Sequence, residues 1–141
     1  MEMINIKEYL KAKDILTILA QSTYMPTEEK LNARAQRYMD DDRVIALGAN
    51  IDDKFCGIVI LNYVESYRVE ILDIAILKER QHQGIGYQMI KCIKEFYKPA
   101  CILAETDDDA VGFYRKIGFE VNSLGEKYPG IIRYECKCTC E

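Results

Sequence analysis

The feature that most narrows the fold of this chain is residues 69–97, VEILDIAILKERQHQGIGYQMIKCIKEFY. Residues 69–77 are nearly all apolar, with Glu70 and Asp73 as the only charges, and read as a strand. Ile85, Met89, Cys92, Ile93 and Phe96 then recur at spacings of three and four, which makes one apolar stripe of a helix. Gln88, Lys91, Lys94, Glu95 and Lys98 fall on the other side, and Pro99 stops the helix. Strand and helix are joined by Gln81-His82-Gln83-Gly84-Ile85-Gly86.

Glycines at such a junction let a backbone approach a ligand with no Cβ in the way. The first turn of the helix has N–H groups with no internal partner, at the positive end of the helix dipole. Together these suit a phosphate or pyrophosphate. On the glycines alone, a tight turn with no ligand fits equally well. No Gly-Lys-Ser/Thr follows, so the junction is not an ATP-type phosphate loop. The third glycine of a dinucleotide fingerprint is replaced by Met89.

What remains is Gln-X-X-Gly-X-Gly over residues 81–86. It resembles the acetyl-CoA loop of the GCN5-related N-acetyltransferases (GNAT), whose pattern is Gln/Arg-X-X-Gly-X-Gly/Ala. A second run, Asp107-Asp108-Asp109-Ala110-Val111-Gly112-Phe113-Tyr114-Arg115-Lys116-Ile117-Gly118-Phe119, is similar to the Asn-X-X-Ala-X-X-Phe-Tyr-X-Lys-X-Gly-Phe of the same family. The order and separation of the two motifs also fit. The resemblance covers roughly residues 69–121.

The resemblance implies a site. Gln81, His82, Gln83, Gly84, Ile85, Gly86 and Tyr87 would hold the CoA pyrophosphate through backbone N–H groups, with His82 at the rim. Ile74, Ala75 and Ile76 would pair with the pantetheine arm as with an added strand. Tyr114 matches the tyrosine that protonates the departing thiolate. Asp107 stands where the family has asparagine; an ionised carboxylate accepts but does not donate, so any contact needing a donor is lost there. Glu70 falls near the glutamate base of the histone-modifying branch, and Asp73 is nearer the expected acyl site. Three apart, they lie on opposite faces of a regular strand; a bulge would change this.

The implied reaction moves acetyl from acetyl-CoA to a primary amine by direct attack in a ternary complex, with no metal and no covalent intermediate. The competing reading is a non-catalytic acyl-CoA-binding sensor or interaction module. The intact Phe113-Tyr114 run favours the enzyme. The acceptor, a small-molecule or peptide amine, has no signature in the sequence.

The rest of the chain sets bounds. With 141 residues it is expected to be one domain, 1–141, with a full-sized core. A net charge of −4 argues against a nucleic-acid partner, which calls for a basic stripe. Charges near the N-terminus and the absence of long apolar runs argue against a signal peptide or a membrane span, so a cytoplasmic location is expected. Six cysteines are then expected to be reduced. Cys56, Cys92 and Cys101 read as small core residues. Cys136, Cys138 and Cys140 alternate on one strand face without the spacing of a metal site.

The expected fold is α/β: a mixed, largely antiparallel sheet flanked by helices, with one parallel β-α-β crossover. A short strand at residues 3–6 leads to a helix at 11–20. Thr27 caps a second helix reaching 39, with Leu31, Arg34, Ala35 and Tyr38 along one side. Strands at 43–51 and 54–63 form a hairpin, and a turn near Glu65-Ser66 leads into the central strand. Residues 100–104 form a buried strand parallel to it. Thr106 or Asp107 caps a helix to about 117, ended by Gly118. Strands at 119–121 and 131–138 close the sheet, linked by residues 124–130. The edge at 131–138 is expected to be exposed and able to pair with a second copy as a homodimer.

Overall fold

The computed structural model describes residues 1–65 and 67–140, except for the side chain of Glu65. The turn expected at Glu65-Ser66 falls on Ser66, outside the described residues. A seven-stranded sheet runs in the order β1-β2-β3-β4-β5-β7-β6. The strands are β1 Glu2–Asn5, β2 Val44–Ile51, β3 Lys54–Glu65, β4 Arg68–Ile76, β5 Cys101–Asp107, β6 Glu120–Tyr128 and β7 Ile131–Thr139. Among the described residues, only β4 and β5 run parallel. The helices are α1 Lys13–Leu19, α2 Glu28–Asp40, α3 Ile85–Tyr97 and α4 Val111–Lys116.

Residues 58–61 of β3 are apolar throughout because helices cover both faces there. Ile58 and Ile60 of β3 pack with Ile15, Ile18 and Leu19 of α1 and Leu31 and Ala35 of α2. Val59 and Leu61, pointing the other way, pack with Ile85, Met89, Ile90 and Ile93 of α3. Ile102 and Ala104 of β5 and Cys136 and Cys138 of β7 continue that second layer under α3 and α4. These cysteines are core side chains, as their alternation on one face requires.

Local signals act where expected. Thr27 accepts from the backbone N–H of Lys30 at 3.1 Å and caps α2. Asp52 and Asp53 take positive φ in the two-residue turn between β2 and β3. Gly118 ends α4 with a φ of 95°.

Four expectations need correction. β7 is not an edge: it lies between β5 and β6, so the sheet edges are β1 and β6. Residues 124–130 are not a linking loop. β6 stays paired through Tyr128, and its register shifts between Ser123 and Gly125 and between Glu126 and Tyr128. Bulges let a polar, glycine-containing stretch remain in the ladder, so no apolar alternation marks it. The last helix starts at Val111 rather than at Asp107, because β5 runs on to Asp107. Finally, Phe96 is 79% exposed and Ile90 is buried in its stead. The last turn of α3 overhangs a groove lined by Met3, Leu47 and Tyr97, past the strands that cover its earlier turns.

Candidate active site

The site begins with an irregularity in β4. Asp73 pairs with Ile60, but the next partner, Leu61, pairs with Ile71, so Leu72 is an extra residue. The insertion resets the alternation. Val69, Ile71, Ile74 and Ile76 all face α3, while Ala75 joins the layer under α1 and α2. Glu70 and Asp73 therefore share the α1–α2 face, although they are three apart.

The same place marks the end of the β4–β5 ladder, which joins Arg68–Ile71 to Cys101–Ala104 and goes no further. Beyond it, β5 remains paired only to β7, as far as Asp107. The edge of β4 at residues 72–76 thus faces β5 across a gap with no ladder. Ile74 and Ala75 lie on that edge; the carbonyl of Ile76 already accepts from Nε2 of Gln81 at 3.0 Å.

α3 starts at the same end of β4. Gly84 holds a φ of 81°, where an L side chain would be strained, and a Cβ there would meet nothing within 4 Å. The approach to its backbone is open. Gly86 has another reason to be glycine: a Cβ would lie 2.7 Å from the Phe113 ring. It lets α4 close on α3. His82, with a φ of 63°, Gln83 and Tyr87 are exposed around the turn, and Ile85 is buried in the core. Nε of Arg80 is buried with no partner among the described residues. A cationic N–H without an acceptor suits an anionic group such as a phosphate. Arg80 was not legible as a site residue; its one signal is a basic side chain next to Gln81.

Tyr114 sits on the α3–α4 side of the sheet, buried, edge-on to Phe113 and Phe119 at 5.1 and 5.2 Å between ring centroids. No hydrogen bond holds its hydroxyl among the described residues. Burial pushes its ionisation well above the ordinary tyrosine value, and the Cys136 thiol and the Asp73 carboxylate add to this. The phenol stays protonated over the physiological range. Asp107 works as an acceptor: its Oδ1 receives the backbone N–H groups of Asp109, at 3.0 Å, and Ala110, at 3.3 Å. It organises the turn before α4, a role that needs no donor.

The two carboxylates differ sharply. Oδ2 of Asp73 accepts from the Tyr38 hydroxyl at 2.8 Å and from Nη1 of Arg34 at 3.2 Å. The same Nη1 donates to Oγ1 of Thr23 at 2.9 Å. Burial first, and then the charge and hydrogen bond of Asp73, push the Tyr38 phenol well up from its usual range. Asp73 is thus tied to α2 and to the loop before it. Glu70 is half-buried and has no hydrogen-bond or ion-pair partner among the described residues. Across the ladder from it, Oδ1 of Asn62 is buried and also unpartnered among the described residues. The sequence placed Arg34 and Tyr38 on the inner side of α2 but gave no sign that Asp73 receives them. An arginine between Leu31 and Ala35 was the available clue.

Among the described residues, no three His, Cys, Asp or Glu side chains converge as a metal-holding group. No described helix is long and apolar enough to cross a membrane.

Comparison with known proteins agrees with this geometry. Residues 12–119 match the model of the acetyltransferase (GNAT) family, and the chain belongs to that family. An uncharacterised N-acetyltransferase of Bacillus methanolicus is 32% identical over 79 residues, covering 53% of this chain and 65% of that protein. The chain thus spans somewhat less than two thirds of the length of that relative. Two solved structures share the fold. One is the PaiA N-acetyltransferase of Thermoplasma acidophilum in complex with coenzyme A, at 16% identity, a TM-score of 0.73 and 98% coverage of both chains. The other is the ribosomal-protein-S18-alanine N-acetyltransferase of Escherichia coli, at 14% identity, a TM-score of 0.72, and 99% and 94% coverage.

Proposed function

We propose that this protein transfers acetyl from acetyl-CoA to a primary amine by direct attack in a ternary complex. The observation that carries the reading is the meeting of three features at one point. These are the unladdered edge of β4, the open N-terminus of α3 at Gly84, and the protonated hydroxyl of Tyr114. Acetyl-CoA, when bound, supplies the activated acetyl group. Backbone N–H groups from Gln81 to Tyr87, with Arg80, hold the diphosphate, and Ile74 and Ala75 offer main-chain pairing to the pantetheine. Tyr114 holds a proton at its hydroxyl for the departing sulfur. Glu70 takes the proton of the amine, directly or through a water, because it is the carboxylate left free on the acceptor face. Asp73 acts as a positioning residue that ties the bulge to α2.

A reducing, cytoplasmic location belongs to the same reading and is supported by six free thiols. Residues 1–141 act in it as one unit around one sheet. The test is amine-dependent release of CoA thiol from acetyl-CoA, with the acetylated amine identified by mass. Amine-dependent release is expected. Binding of acetyl-CoA with no release over a broad amine panel would favour the sensor reading instead.

A further inference from the structure

A single guanidinium nitrogen joins two parts of the chain that are distant in sequence. Nη1 of Arg34 donates to Oδ2 of Asp73 at 3.2 Å, on the bulged edge of β4. It also donates to Oγ1 of Thr23 at 2.9 Å, in the loop before α2. Each of its two hydrogens thus has an acceptor. The Thr23 hydroxyl in turn donates to the carbonyl of Leu19 at 3.0 Å, at the end of α1. The Asp73 side chain is only 8% exposed, so its charge is poorly screened by water and binds Arg34 firmly. Thr23 takes its position from a guanidinium that Asp73 already holds. The rest of the loop is pinned as well. The turn Ala20–Ser22 packs against β4. The carbonyl of Met25 accepts from Nζ of Lys30 at 3.2 Å, and Thr27 caps α2.

This tether ends where the ladder between β4 and β5 stops. Asp73 lies on the edge of β4 that faces β5 across the gap, and its side chain is on the α1–α2 side. Tyr114 lies on the α3–α4 side, close enough for the Asp73 charge to act on its hydroxyl. With the thiolate leaving toward Tyr114, the amine reaches the acyl carbon from the other side of the sheet, past Asp73 and the loop tied to it.

Resting on the acetyl-transfer reading above, we infer that Arg34 is a positioning residue for the acceptor amine, acting through Thr23. It holds the loop from Thr23 to Thr27 against the bulge as one wall of the path the amine takes. Thr23→Val separates this role from upkeep of the fold. The Arg34 and Tyr38 bonds to Asp73 stay, and the Leu19 carbonyl keeps the Ser22 hydroxyl at 3.1 Å. The released N–H of Arg34, whose side chain is part-exposed, turns to water. Kinetics are measured on the full chain with whichever of 2-phenylethylamine, spermidine, kanamycin and an alanine-initiated tripeptide amide is used best. Thr23→Val is expected to raise KM for that amine roughly tenfold, with kcat and KM for acetyl-CoA changed less than about twofold. Thr23→Ser keeps the hydroxyl and should hold the amine KM within about threefold of the wild type. In hydrogen exchange, the amides of Thr23 to Met25 should open at least about tenfold faster in Thr23→Val, while those in the middle of α2 hold. An unchanged amine KM in Thr23→Val, an equal rise in Thr23→Ser, or unchanged exchange of the loop would each overturn the proposal alone. Wild-type protein that binds acetyl-CoA yet uses none of the four amines would overturn it together with the transfer reading.

Discussion

Tyr114 and Glu70 are asked to do opposite things, and their surroundings differ accordingly. Tyr114 is enclosed by Phe113 and Phe119, and burial keeps its proton on. Only the protonated phenol can donate, and a raised value holds that form to higher pH. The alkaline loss of kcat should therefore lie above the ordinary tyrosine value near 10. A pH–rate profile of the wild type checks this. Tyr114→Phe should bind acetyl-CoA normally and lose about 10²-fold or more in kcat. Normal turnover in that variant would remove the proton-donor role. At this scale the sequence was only partly legible. Motif spacing marked Tyr114, Gly84 and Gly86. It could not choose between Glu70 and Asp73, because the choice depends on Arg34 and Tyr38, which arrive from a helix over thirty residues away. Tyr38→Phe removes one hydrogen bond to that carboxylate and should cost about 1–3 kcal/mol. Denaturant unfolding measures it.

Among the elements, the α3–α4 contact and the β6–β7 hairpin carry the sharper consequences. Gly86 and Phe113 are in contact, so the two family motifs meet as a packed joint between helices. Gly86→Ala should push the Phe113 ring away and disturb Tyr114 beside it. Gly84→Ala meets no neighbour and should act through backbone strain alone, about 1–2 kcal/mol, with weaker acetyl-CoA binding. Comparing their melting points and kcat values separates the two effects. The hairpin depends on Glu105, whose carboxyl is held below its usual range by the hydrogen bond from Lys127 and then by Arg133. A lowered folded value stabilises above the ordinary carboxylate range, and that contribution is lost as pH falls through the folded value. Amides of β6 should therefore exchange faster, relative to those of β3, as pH falls below about 4. Elements with apolar periodicity, β2 to β5 and α2 to α3, were readable from the sequence. β6 was not, since neither face of that edge strand is buried along its outer half and bulges break its alternation.

For the molecule as a whole, the important fact is that the sheet stops being continuous at Ile71 and Ala104. One half carries helices on both faces. The other half, β5, β7 and β6, has its helices on one face, and the opposite face carries none among the described residues. The parallel pairing of β4 and β5 follows from the strand–helix–strand order and was expected. The place where their ladder ends was not, because a single inserted residue, Leu72, has no signature in an apolar run. The sheet edges also fell elsewhere than expected. β6, with its two bulges and Lys127, is poorly suited to pair with a second copy. The central claim is that the gap between β4 and β5, with the N-terminus of α3, binds acetyl-CoA. Thermal unfolding with and without acetyl-CoA tests it most directly, with Gly84→Asp as the control that sets a side chain and a negative charge in the cradle. At about 100 times the dissociation constant the ligand adds roughly 2.7 kcal/mol, which should raise the wild-type midpoint by several degrees. The control should show little shift. An unmoved wild-type midpoint at millimolar acetyl-CoA, or an equal shift in the Gly84→Asp protein, would contradict the account.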